Sequence, residues 1–425
     1  MTERDDLYQR DAKVSWHPYT QHGLEKEFMP VARAYGATLE LEDGRTLIDA
    51  ISSWWATLHG HGDARLVGAV TNQMQTLDHV LFAGTTHEPA VKFAEELIRV
   101  APDRLSRVFY SDDGSTAVEV GMKMAYHRHV IEGQPQRTVF LALEGGYHGD
   151  TFGAMAVGDR DPFFLDFEPL LFEVQHVPPT EGAVAAALER LGDRACAVIS
   201  EPRIQGAAGM HMHPESVLRE IRESCDQHGI PWIADEVFTG FGRTGQLFAT
   251  RDTNPDILCL AKGLTGGMFP MAATLATEET FQAFLSDDNT KALFHGHTFT
   301  ANPVGCAVGI ESLRICLEED VPSKLATIGD RIHAKLESEL SDVEHVKGLR
   351  KLGGVVAYDV APLPGAGSGY FDGVAPKLRA RAIELGVLIR PLGNAVYTVP
   401  PACTTTEECD RIADALVDLA HFAVS

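Results

Sequence analysis

The chain has 425 residues, 36 Lys and Arg against 60 Asp and Glu, a formal net charge of -24, and 44% hydrophobic residues. That length suits a large lobe plus a smaller one, and the composition is that of a globular protein without disordered or fibrous character. The acidic balance excludes nucleic acid or an anionic membrane as the principal partner, since both require a basic face.

The opening stretch MTERDDLYQRDAKVSWHPYT carries charges of both signs and no apolar core, and no run reaches the length of a membrane span, so a cytoplasmic enzyme is expected. A strand-like ATLELEDG with a turn at Asp43-Gly44 follows, within an N-terminal segment (1–60) expected to join the small domain and the active site. Residues 61–310 are expected to form the large domain. There the apolar runs RVFYS (107–111), TVFLAL (138–143), CAVIS (196–200), PWIAD (231–235), DILCLA (256–261) and AATLAT (272–277) alternate with longer helical patterns. Continuous apolar runs suit strands buried on both faces, and intervening helices make the sheet mostly parallel, which defines an α/β fold with helices on both faces. The pattern changes in residues 311–425: helices at about 303–318 and 322–341, then GGVVAYDV, VLIRPLG and AVYTVPP as short strands of a smaller α+β domain. The Pro-, Gly- and Ser-rich segment 361–371 reads as a surface loop. The seven cysteines are scattered without a C-x-x-C pair, which suits reduced thiols. His59/His61 and His295/His297 lack an accompanying ligand set, so no metal is expected.

In open α/β sheets ligands sit at the carboxyl ends of the strands, and those ends carry the chemistry of this chain. Gly114 and Ser115 follow RVFYS at a helix start, where free N–H groups and the helix dipole seat a phosphate. Tyr147 and His148 lie on a glycine-bracketed loop after TVFLAL, where a ring can stack on a planar cofactor. Asp235 ends an apolar strand, and a carboxylate there needs a cation, for which a protonated pyridine nitrogen qualifies. Lys262 ends DILCLA just before glycines, where desolvation favours the neutral, nucleophilic amine. Taken singly, each has a plainer reading as N-cap, packing ring, structural ion pair or snorkelling lysine. Their joint order describes a pyridoxal phosphate site.

The stretch IADEVFTGFGRTG followed by DILCLAKGLTGG resembles the fold-type I, class III aminotransferases. So do DDGSTAVEVGMKMA, GGYHGDTFGAM and HGHTFTANP, and the likeness runs over nearly the whole chain. The resemblance implies that Lys262 holds the cofactor and moves the proton, that Asp235 keeps the ring nitrogen protonated, and that Tyr19 joins them in catalysis. It implies cofactor contacts from Gly114, Ser115, Tyr147, Glu201 and Thr298, the last reaching the phosphate of a partner subunit in a homodimer with shared active sites. Arg390 matches a carboxylate clamp, and Tyr19, Trp54, Tyr147, Arg243, Gly296 and Tyr397 match the substrate walls. WHPYT and SSWW resemble the branch of the family that aminates a long aliphatic keto acid in biotin synthesis, rather than members acting on ω-amino acids or diamines. His297 stands where the members that use S-adenosylmethionine as donor carry proline and resembles those using lysine. Tyr19 and Tyr397 agree with the adenosylmethionine users. A nicotinamide-binding α/β protein is the reading from another class, but no strand is followed by G-x-G-x-x-G with an acid at the required distance.

Overall fold

The computed structural model describes residues 3–24, 28–160, 163–361 and 373–423, so nearly all of the Pro/Gly-rich segment 361–371 lies outside the described residues. A seven-stranded sheet forms the centre, in the order Leu105–Ser111, Ala272–Thr277, Ile257–Leu260, Trp232–Asp235, Ala195–Ser200, Val139–Leu143 and Val174–Val177. Every residue of the five central strands is buried, because the sheet is covered on both sides. Successive side chains point to opposite faces. Leu141, Val198, Trp232 and Leu258 pack on one face with helices Ala183–Leu191 and Glu215–His228. Phe140, Ile199, Ile233 and Ile257 pack on the other with helix Gly114–Ile131.

Six strands share one direction, and Ala272–Thr277 runs against both of its neighbours. Only a short 3-10 turn, Lys262–Thr265, and a loop separate it from Ile257–Leu260. A parallel return requires a crossover of a dozen or more residues, so the chain must come back antiparallel. The consequence is functional: residues 267–271 are folded over the end of the sheet instead of being carried away in a helix. The half-buried edge strand Val174–Val177 has no continuous apolar run and is not announced by the sequence.

The smaller part packs helices Val321–Leu340, Val374–Glu384 and Thr406–Phe422 on an antiparallel sheet of Val346–Leu352, Val355–Val360 and Ala395–Thr398. A four-stranded sheet joins Val31–Tyr35, Thr38–Leu41 and Thr46–Asp49 to Val387–Leu388. VLIRPLG thus forms a strand only over its first two residues, and Arg390 lies in the loop beyond. Among the described residues no helix is long and apolar enough to cross a membrane.

Candidate active site

A cavity of about 640 Å³ opens at the carboxyl ends of the central strands. Gly114, Ser115, Tyr147, Glu201, Asp235 and Lys262 all line it. At one end helix Gly114–Ile131 begins under a capping box: Asp113 accepts from the Thr116 N–H at 2.9 Å, and the Thr116 hydroxyl accepts from the Asp113 N–H at 3.3 Å. A Cβ at position 114 would lie 2.7 Å from Val237 Cγ1, and one at Gly149, where φ is +125°, would overlap Ser115. These two glycines let three loops close round the helix terminus, leaving a concave, N–H-rich seat suited to a phosphate.

Asp235 is held on both oxygens. His148 Nδ1–H donates to Oδ2 at 2.7 Å, and the Val237 N–H donates to Oδ1 at 3.0 Å. His148 is buried, so its ring packs as well as pairs. Glu201 accepts from the Tyr147 N–H at 2.9 Å and the Gly206 N–H at 3.0 Å, yet burial pushes its pKa up to about 7. Lys262 lines the same cavity at φ +48°, a left-handed conformation costly for a side-chain-bearing residue and concentrated at functional sites. Burial holds the Lys262 amine below its ordinary pKa, against the opposing charges of Asp235 and Glu201 and with help from Arg243. Its Nζ lies 4.9 Å from the centre of the Trp55 ring.

Of the expected substrate residues, Tyr19, Tyr147, Trp54 and Arg390 come together next to this floor. The Tyr19 hydroxyl donates to the Asp150 carboxylate at 2.6 Å and lies 3.1 Å from the Tyr147 hydroxyl, whose pKa burial raises. Tyr19 meets Trp54 edge-on with ring centres 5.6 Å apart, and the Arg390 guanidinium lies 4.6 Å from the Trp54 ring centre. Tyr397 is buried behind the wall, where its hydroxyl accepts from Trp55 Nε1 at 3.2 Å. Arg243 is also placed behind the wall rather than on it. Fully buried, it donates to the carbonyls of Pro400 (3.0 Å), Trp55 (3.2 Å) and Thr57 (3.4 Å). Burial lowers its pKa to about 10.

Gly296 and Thr298 are exposed and do not line this chain's own cavity. His297 Nδ1 is 2.9 Å from Asp112 Oδ2, and its Nε2 is 3.1 Å from His295 Nε2. Sequence reasoning gave no role to Asp150 or Trp55, and offered His148 with Tyr147 as a ring that could stack on a cofactor, whereas His148 pairs with Asp235. His148 and Asp150 sit in the quoted GGYHGDT stretch, and only their pairing in space shows what they touch. Among the described residues no cluster of three or more His, Cys, Asp or Glu is placed to hold a metal.

A phosphate seat, a braced carboxylate and a desolvated lysine converging on one cavity fit pyridoxal phosphate and define an enzyme dependent on it. The chain belongs to the class III aminotransferase family, whose model matches residues 19–419. It is 44% identical over 423 residues to an adenosylmethionine-8-amino-7-oxononanoate aminotransferase of Synechococcus elongatus, covering 95% of this chain and 97% of the relative. The crystal structure of the enzyme of that name from Methanocaldococcus jannaschii superposes with a TM-score of 0.94 at 35% identity, over 98% of this chain and 99% of the other. An amine transaminase from an uncultivated Pseudomonas species, solved with the cofactor bound, gives 0.90 at 30% identity, over 96% and 99%.

Proposed function

We propose that the protein transfers an amino group from S-adenosylmethionine to 8-amino-7-oxononanoate, giving 7,8-diaminononanoate for biotin synthesis. The observation that carries the reading is the desolvated Lys262 amine, under the charges of Asp235 and Glu201, in a cavity lined by Trp55 and Tyr147, with Tyr19 hydrogen-bonded to Tyr147 and in turn packed on Trp54, and Arg390 over the Trp54 ring, outside it. The names of the relatives supply the substrate. Bound pyridoxal phosphate supplies an aldehyde that carries the amino group and a ring that takes up electrons from the donor's Cα.

Around it the chain's groups divide the work. The Gly114–Ser115 helix terminus would seat the phosphate, and Asp235, aimed by His148, would keep the ring nitrogen protonated. Tyr147 would cover the ring, and Asp150 fixes the Tyr147 and Tyr19 hydroxyls beside it. Lys262 Nζ, free once the donor amine has taken its place, would carry the donor's Cα proton to the C4′ carbon of the cofactor, and in the second half-reaction would carry a proton from C4′ to the former carbonyl carbon of the acceptor. Arg390 binds the far carboxylate of the keto acid with its planar fork.

The active site is completed by a second copy of the chain. Supporting this, Gly296 and Thr298 lie exposed beside Phe294 and Phe299, which are 72% and 55% exposed, on a loop that leaves its own cavity unlined. His297 favours a second reading, with lysine as donor. The half-reactions separate the two: the visible absorbance of the holoenzyme should bleach with S-adenosylmethionine and persist with lysine when no keto acid is present. Bleaching by lysine alone would overturn the donor assignment, and bleaching by neither would overturn the substrate reading.

A further inference from the structure

The turn Ser52–Trp55 contains four successive non-glycine residues with φ of +49°, +44°, +70° and +71°. Left-handed backbone is disfavoured for L-residues and is normally visited one residue at a time, so a run of four persists only where its surroundings enforce it. On its carbonyl side Arg243 holds the oxygens of Trp55 and Thr57, and Ser52 Oγ donates to the Val399 carbonyl at 2.7 Å. On its amide side one side chain gathers the turn. The fully buried Asp49 carboxylate accepts from the Ser53 N–H at 2.9 Å, the Ser53 hydroxyl at 2.7 Å and the more distant Ile51 N–H at 3.4 Å.

Asp49 is itself braced by His61, whose Nε2 lies 2.9 Å from Oδ2. The His61 backbone is tied in both directions to Gly36. Burial works to raise the Asp49 pKa, but hydrogen bonds from His61 and Ser53 outweigh it and hold the group below its ordinary value. The turn in turn presents Trp54 to the Arg390 guanidinium and Trp55 to Lys262.

We propose that Asp49, braced by His61, is a positioning residue for the substrate wall: it holds the double-tryptophan turn left-handed so that Trp54 seats Arg390 to receive a carboxylate. Neither residue lines the cavity, so both act through the turn. The inference rests on the carboxylate role proposed for Arg390.

The test measures, by calorimetry on the holoenzyme, the affinity for nonanoate, a nine-carbon carboxylate, in the parent, Asp49→Asn, His61→Ala and His61→Gln. A small displacement of a binding group is costly, so Asp49→Asn and His61→Ala should bind nonanoate roughly ten-fold more weakly with the visible cofactor absorbance intact. His61→Gln, whose amide can still donate to Asp49, should bind like the parent. Should Asp49→Asn fail to fold, the two His61 variants carry the test. Parent-like affinity in His61→Ala, equal loss in His61→Gln, or loss of the cofactor band along with affinity would overturn the proposal. A parent that bound no nonanoate would instead overturn the role of Arg390 on which it rests.

Discussion

The floor of the cavity and its rim are built by different means. Asp235 ends one fully buried parallel strand and Lys262 opens the turn just beyond its neighbour, so sheet register and one short turn bring the two together. Tyr19, Trp54 and Arg390 come from three separate segments of the chain, and two of the three residues are substantially exposed. A floor set by register suits chemistry shared by a whole family, whereas a rim assembled from loops can change its substrate without disturbing the proton transfer beneath it.

Removing the fork at the rim should sharpen the contrast most. Arg390→Ala loses a charge-assisted contact, and its keto-acid half-reaction should fall by on the order of a hundred-fold in kcat/KM. The donor half-reaction should change several-fold less, measured by single-turnover bleaching. Equal losses in both would mean that Arg390 does not discriminate the keto acid.

A smaller effect belongs to the floor. The Glu201 pKa rises from 4.5 to about 7 through burial, so between those values the folded apoprotein binds more protons than the unfolded chain. Its contribution is therefore fully present below pH 4.5 and lost as pH rises through about 7. Chemical denaturation of the apoprotein should show stability falling across that window by up to about 3 kcal/mol from this group. Glu201→Gln should flatten the fall, and an unchanged profile would place the ionisation elsewhere.

The same contrast explains what could be read from the sequence. The five central strands are legible as unbroken apolar runs because both faces are covered, and their chemistry follows them directly in the chain. Helix Pro303–Glu318 is legible for a similarly local reason, since Asn302 and Pro303 are its N-cap and first residue. The edge strand Val174–Val177, half in solvent, leaves no such run. The reversed strand Ala272–Thr277 reads as a strand, but its direction depends on the length of the preceding connection rather than on its own residues. Arg243 shows the limit at the site itself. Its place in IADEVFTGFGRTG suggests a substrate wall, and only the fold reveals that its guanidinium is occupied by the carbonyls of Trp55, Thr57 and Pro400. The Asp150 pairing with Tyr19 and Tyr147 likewise joins segments distant in sequence.

The central claim is that Lys262 anchors the cofactor and moves the proton, and borohydride reduction of the holoenzyme beside Lys262→Ala tests it most directly. In the parent, peptide mapping should find the reduced cofactor on the DILCLAKGLTGG peptide at Lys262. Lys262→Ala should bind pyridoxal phosphate without a covalent bond and lose on the order of 10⁴-fold in turnover. A label on another lysine, or normal turnover in the variant, would contradict the account.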